Sequence, residues 1–202
     1  MAWGVAALMA ATLTACGNAP QVPTDNAEVA LENIMTRTSI RSYENRPVEK
    51  EKVERLLRAG MAAPTAMNLQ PWHFVVVDGR EVLDSLSAAN PHAKMLQTAP
   101  LAIVVCGDLQ KEPEGPGREF WIQDCSAATE NILLAANAQG LGAVWTAAHP
   151  MKERVESISR ILALPESIVP LCTIVIGYPA EAPQPKDKWK EANVSYNKFG
   201  ER

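Results

Sequence analysis

No two of the four cysteines (Cys16, Cys106, Cys125, Cys172) form a Cys-x-x-Cys pair, and the three histidines (His73, His92, His149) fall at no metal-ligand spacing. Neither structural zinc nor dithiol redox chemistry is indicated. Basic charge is not in excess. Lys and Arg number 19 against 23 Asp and Glu, a formal charge of −4, which gives no reason to expect a nucleic-acid partner. Any cluster of cations in such a chain is therefore local and informative. Aromatics are scarce at 5%, no internal repeat occurs, and no Gly-x-Gly-x-x-Gly run is present, so a dinucleotide fingerprint is lacking. What is present is ordinary for a globular protein: 47% hydrophobic and 21% charged residues in 202, enough to bury a core without disulfide staples.

The apolar stretch of residues 1–15, MAWGVAALMAATLTA, is too short for a permanent membrane span. It runs into Leu13-Thr14-Ala15-Cys16-Gly17, which resembles a bacterial lipobox with Cys16 as the lipidated residue. Acyl chains contribute about 0.8 kcal/mol per buried CH2, so a multiply acylated cysteine anchors stably. The lack of Lys or Arg before this stretch departs from the usual basic start of a signal peptide. An uncleaved segment and a cytoplasmic location thus stay open beside the expectation of a membrane-anchored lipoprotein facing periplasm or cell surface. Residues 17–27 read as a polar tether, and 28–202 as one domain.

Within that domain, periodicity predicts helices over Glu28–Met35, Pro47–Ala62, Glu81–Ala88, Trp121–Gln139 and Lys152–Ala163. Strands are predicted at Trp72–Val77, Leu101–Cys106 and Leu171–Ile176, with a short strand or extended loop at Ala143–Ala147. Cys106, Cys125 and Cys172 read as small buried apolar groups, with one disulfide among them left open for an exported protein. The Ala-rich 121–139 helix is apolar nearly all round and is expected to be buried, in the core or at an obligate subunit interface. The order is not a regular strand–helix alternation, so the fold class is α+β.

Four segments could carry chemistry. Arg37-Thr38-Ser39-Ile40-Arg41 sets two guanidinium groups four residues apart, which a helix or tight turn would bring to one side of a Ser39 hydroxyl. That suits a phosphate, and it equally suits two solvated arginines at a helix end. Pro64-Thr65-Ala66-Met67-Asn68-Leu69-Gln70-Pro71 places two amides before a strand, where each offers donor and acceptor to a cofactor edge, or serves as a polar connection. Gly140-Leu141-Gly142 precedes Val144-Trp145-Thr146-Ala147, its glycines permitting close backbone approach. Lys186-Asp187-Lys188 lies in the Pro- and Lys-rich tail, residues 178–202, and alone reads as solvated.

In this order, the four segments resemble the nitroreductase family. The similarity runs from about Leu31 to Trp189, through R-x-S-x-R, P-T-x-x-N-x-Q-P-W, G-L-G-x-x-W and a basic pair after I-G-x-P. The resemblance implies a nitroreductase-like fold: a central mixed sheet flanked by helices, in an intertwined homodimer with FMN at the subunit interface. It implies that Arg37, Ser39, Arg41, Lys186 and Lys188 hold the FMN phosphate. Pro64, Thr65, Asn68 and Gln70 would belong to the cofactor loop, with Thr65 and Asn68 coming from the partner subunit and Gln70 meeting the pyrimidine edge. Val144, Trp145, Thr146 and Ala147 would line the other side of the flavin, and Lys94 would lie near it. The implied activity is ping-pong reduction of nitroaromatics, quinones or similar small organic acceptors, with NAD(P)H or another carrier as donor. No catalytic acid or base and no metal are expected, since flavin chemistry asks mainly for position and electrostatics. His149 is expected to be structural, with a place beside the substrate pocket as the alternative. Another redox task on the same scaffold (dehalogenation, oxidation), or a flavin-binding surface lipoprotein without turnover, would also fit.

Overall fold

A computed structural model of the protein describes residues 25–201. The predicted leader, its lipidation site Cys16 and most of the tether lie outside the described residues. Five α-helices and four strands are described: α1 (Asn26–Thr36), α2 (Lys50–Met61), β1 (Trp72–Val77), α3 (Arg80–Ala89), β2 (Leu101–Asp108), α4 (Phe120–Ala138), β3 (Gly142–Ala147), α5 (Lys152–Ile161) and β4 (Ile168–Gly177).

The sheet order is β1-β2-β4-β3, and every neighbouring pair is antiparallel. The expected mixed sheet is thus antiparallel in its four strands, and parallel pairing among the described residues is confined to one bridge, Ser39 with Ala143. β2 is buried along nearly its whole length, and its alternation divides two cores. Leu101, Ile103 and Val105 join Leu56 of α2 and Cys125, Ala128 and Ile132 of α4 on one face. Ala102, Val104 and Cys106 join Leu83 and Leu86 of α3 and Ile158 of α5 on the other. A strand apolar on both sides is what a sheet covered on both faces requires.

Several boundaries differ from the sequence reading, each for a local reason. α1 starts inside the expected tether because the Asp25 carboxylate caps it, accepting the Ala27 N–H at 3.0 Å. α2 starts at Lys50 rather than in the turn of Pro47, after an extended Glu49 whose carboxylate is engaged by the Tyr178 hydroxyl (2.6 Å). β4 begins three residues early and tolerates Pro170 because the β2–β4 register slips there, at Cys106. α4 takes the core place that was one of the two expected for it. Eight of its residues, from Trp121 to Ala136, are buried inside the chain, so its apolar character is used internally. Large apolar side chains left exposed include four on α1 (Val29, Leu31, Ile34, Met35) and three on the tail (Trp189, Tyr196, Phe199), besides Met61, Met67, Val76, Met151 and Phe120 of α4. All three described cysteines are free and buried. Burial pushes the thiols up, Cys106 and Cys172 to about 12 each.

Candidate functional site

The Arg37–Arg41 segment is not a helix or tight turn. α1 ends at Thr36, and the chain then runs extended along the free edge of β3, with the Ile40 N–H donating to the Ala143 C=O at 3.1 Å. The extended chain therefore does the aligning: Arg37, Thr38, Ser39 and Arg41 all border one cleft while Ile40 is buried. Gly142 makes the close approach feasible. A Cβ there would stand 2.7 Å from the Ile40 Cβ and Cγ2. Gly140, at φ +70°, has a separate task at the end of α4. The segment is fixed at its far end by Tyr43, whose hydroxyl lies 2.6 Å from the Ile40 C=O and 3.0 Å from the Val175 C=O. Burial, then the charge of Glu181, pushes that hydroxyl well above the ordinary phenol range, so it stays a neutral donor.

The tail reaches the same cleft by backbone pairing. The Glu44 N–H donates to the Tyr178 C=O and the Ala180 N–H to the Ser42 C=O, both at 2.9 Å. Glu181, which the sequence reading passed over, then accepts the N–H groups of Arg41 and Ser42. This staple brings Lys186 and Lys188 to Arg37, Ser39 and Arg41 around a cleft of about 610 Å3. Four cations and two hydroxyl residues, Thr38 and Ser39, line it, and Asp187 is its only carboxylate, a donor set that fits a phosphate dianion. The volume lies within the range of small-molecule and cofactor sites. Arg37 is additionally held by Glu130 at 3.4 Å.

Arg41 also borders a second cavity, of about 350 Å3, along β3. Val144, Trp145, Thr146 and Ala147 line it, with His92, Met95 and Arg154. The two cavities share Arg41, so a ligand with its phosphate in the first can extend along β3 in the second. Arg154 was not singled out from the sequence. It donates to the Ala147 C=O at 3.2 Å from the first turn of α5, where a cation works against the helix dipole and so is not there to stabilise the helix.

The remaining expected residues lie elsewhere within one chain. Lys94 is exposed and does not line this cavity, although its neighbours His92 and Met95 do. Pro64, Thr65, Asn68 and Gln70 border neither cavity. The Gln70 side-chain amide donates to the Asn68 Oδ1 at 3.0 Å, and both residues are exposed. His149 packs edge-on against Trp121, with ring centroids 5.1 Å apart.

Residues 34–91 and 83–178 match the model of the Nitroreductase family. The chain is 45% identical over 169 residues to a Methanothermobacter thermautotrophicus protein provisionally named NADH dehydrogenase/NAD(P)H nitroreductase, a similarity covering 84% of this chain and 87% of that one. A solved structure from Bacteroides thetaiotaomicron, under the same provisional name, is 52% identical with a TM-score of 0.81, over 87% of this chain and 100% of that one. An FMN-dependent nitroreductase from Clostridium difficile is 32% identical with a TM-score of 0.77, over 84% of this chain and 99% of its own. The four motifs, the antiparallel sheet between helices and these relatives agree: the chain belongs to the nitroreductase family, oxidoreductases whose cofactor is FMN.

Proposed function

We propose that this protein is an FMN-dependent NAD(P)H oxidoreductase that reduces small organic acceptors such as nitroaromatics or quinones, with donor and acceptor using one site in turn. The observation that carries this reading is the convergence of Arg37, Ser39, Arg41, Lys186 and Lys188, from opposite ends of the domain, on one cleft continuous through Arg41 with the β3 cavity. In this reading the five residues hold the FMN phosphate, and Val144–Ala147 lie along the ring. Bound FMN supplies the hydride-accepting and hydride-returning chemistry. The chain's own residues bind and orient: Arg37 and Arg41 offer forked donors, Ser39 a hydroxyl, and Arg41 and Arg154 set positive charge at the ring cavity, which favours the anionic reduced cofactor.

The working unit is proposed to be a homodimer. Ile34, Met35 and Trp189 line the cleft while 52%, 69% and 73% exposed, an apolar surface that a second subunit would cover. The Pro64–Gln70 loop does not reach the cleft of its own chain, which fits delivery of Thr65 and Asn68 to the partner's cofactor. We also propose lipid anchoring through Cys16. Labelling with a fatty acid that is lost in Cys16→Ser would support it, and an unmodified, uncleaved N-terminus would exclude it.

The test of function is an absorbance spectrum of the purified protein before and after NADH or NADPH. Flavin bands that bleach with a nicotinamide and return with a nitroaromatic are expected. Bands that bleach only with dithionite would retain the FMN site and remove the nicotinamide donor. No flavin after reconstitution with FMN would remove the phosphate assignment.

A further inference from the structure

Asp124 stands where a core helix ordinarily carries an apolar residue. It is 6% exposed on α4, beside the buried Trp121, Cys125 and Ala128. A buried carboxylate is costly unless a cation or hydrogen bonds compensate it. Among the described residues no salt bridge includes it. The helix dipole does not account for it either, because it lies beyond the first turn of α4, where the favourable effect of an N-terminal acid fades. Its two oxygens share one donor, the Ala66 N–H, at 3.0 and 3.2 Å.

That contact falls where the chain needs holding. Ala66 opens the part of the 64–70 loop in which Met67, Asn68 and Gln70 take φ values of 50°, 56° and 51°. This left-handed backbone is uncommon outside glycine and persists where its surroundings over-determine it. Inside the loop the bonds are local. The Gln70 N–H donates to the Thr65 Oγ1 and the Asn68 N–H to the Thr65 C=O, both at 3.3 Å. Such bonds fix the shape of the loop and not its place on the domain. Asp124 ties the entry of the loop to α4, and the exposed Lys111 ties its exit, donating to the Gln70 C=O at 3.1 Å. α4 is itself set against the sheet at this level, since a Cβ on Gly107 of β2 would collide with the ring of Trp121, three residues before Asp124.

We propose that Asp124 is a positioning residue, kept in α4 despite its desolvation in order to seat the 64–70 loop and so to hold Thr65, Asn68 and Gln70 where they meet the cofactor. The cofactor clause rests on the proposed function; the clamp on the loop does not. Asp124 borders neither cavity of its own chain, so its effect on the cofactor is exerted through the loop. A carboxylate suits this task better than a neutral acceptor. Its charge strengthens the bond to a backbone N–H, and because both oxygens share that N–H the bond survives small rotations of the side chain.

The test uses the full chain, with FMN as probe, in wild type, Asp124→Ala and Asp124→Asn. Asparagine keeps one acceptor oxygen for the Ala66 N–H, so it separates the clamp from the volume of the side chain. Amide hydrogen exchange of the cofactor-free proteins is read at Ala66 relative to Ile132, a core amide of α4, so that global unfolding cancels. In Asp124→Ala, relative exchange at Ala66 is expected to rise about tenfold or more and FMN affinity to fall about fivefold or more. The visible circular dichroism of the FMN that still binds is expected to change shape. Asp124→Asn is expected to recover part of all three. Unchanged relative exchange at Ala66 in Asp124→Ala would overturn the clamp. Faster exchange with wild-type FMN affinity and dichroism would overturn the positioning of the cofactor. Wild type that binds no FMN, with exchange responding as expected, would overturn the proposed function and leave the clamp on the loop standing.

Discussion

Replacing Gly142 by alanine tests how the phosphate-side edge is built. In most strands this substitution is neutral or helpful, because glycine carries extra unfolded-state entropy. Here the added Cβ would meet Ile40 at 2.7, 2.7 and 2.9 Å, to Cβ, Cγ2 and Cγ1. Non-bonded carbons prefer about 3.5–4.0 Å, so the two backbones must separate by several tenths of an ångström or more. Two of these contacts are to atoms beyond the Ile40 Cβ and one is to the Cβ itself, so a rotamer change cannot relieve all of them. Overpacking of this kind costs about 1–3 kcal/mol. The displaced element is the one that carries Arg37, Ser39 and Arg41, so FMN affinity should fall as well, by about 1 kcal/mol or roughly fivefold. Equilibrium urea unfolding of the cofactor-free protein and FMN titration read the two effects separately. Ile40→Ala in the same chain removes Cγ1, Cγ2 and Cδ1 but keeps Cβ, so it should recover part of the loss and give a non-additive cycle. Gly140→Ala is the control. Nothing lies within 4 Å of its added Cβ, and the cost comes from φ +70° alone, so stability should fall without a specific loss of FMN. Unchanged stability and FMN affinity in Gly142→Ala would refute the argument that close approach of Ile40 to β3 sets the site.

Other outcomes follow from single features. Arg37→Ala with Arg41→Ala should weaken FMN by about 3 kcal/mol or more, since charge-assisted hydrogen bonds contribute about 1.5–3 each, as read by FMN titration. Glu181→Ala should release the tail from Arg41 and Ser42, weakening FMN and opening residues 183–190 to limited proteolysis while every cation remains in place. Glu49 is held at about 2, first by the Tyr178 hydroxyl. Its contribution is present above its ordinary value of 4.5 and is lost as pH falls through about 2, so the acid limb of Tm against pH should be shallower in Tyr178→Phe. Arg154→Gln should lower the reduction potential of bound FMN more than its affinity, measured by dye-coupled reduction.

Chemistry was more legible than geometry in the sequence. The runs LAIVVC and LCTIVI mark two strands correctly because a sheet covered on both faces leaves unbroken apolar segments, and WHFVVV marks the edge strand β1 by its aromatic and β-branched residues. Arg37, Ser39 and Arg41 stood out by residue type, yet their spacing was read with a helical period. Whether a five-residue stretch is extended depends on its partner strand, and Ala143 lies far away in sequence. Lys186 and Lys188 had no periodicity to mark them, because they are positioned by Glu181, whose partners are two backbone N–H groups with no sequence signature. The α4 helix was left between core and subunit interface because its apolar length was visible and the sheet it packs on was not. One signal was available and unused: Asp124 is, with Glu130, one of two acids in an apolar helix, and such a residue usually has a partner to hold, here the Ala66 N–H.

The Glu181 staple has a consequence for the life history of the protein. The candidate phosphate cradle draws Arg37, Ser39 and Arg41 from one end of the domain and Lys186 and Lys188 from the other, so during synthesis the cradle is half-built until the tail emerges. A nascent chain offers no complete seat for the cofactor, and loading belongs to the finished, folded molecule. Wherever the protein ends its journey, FMN must be available at or after the moment when the tail closes onto Arg41 and Ser42, so the timing of folding decides in which compartment the protein acquires its cofactor.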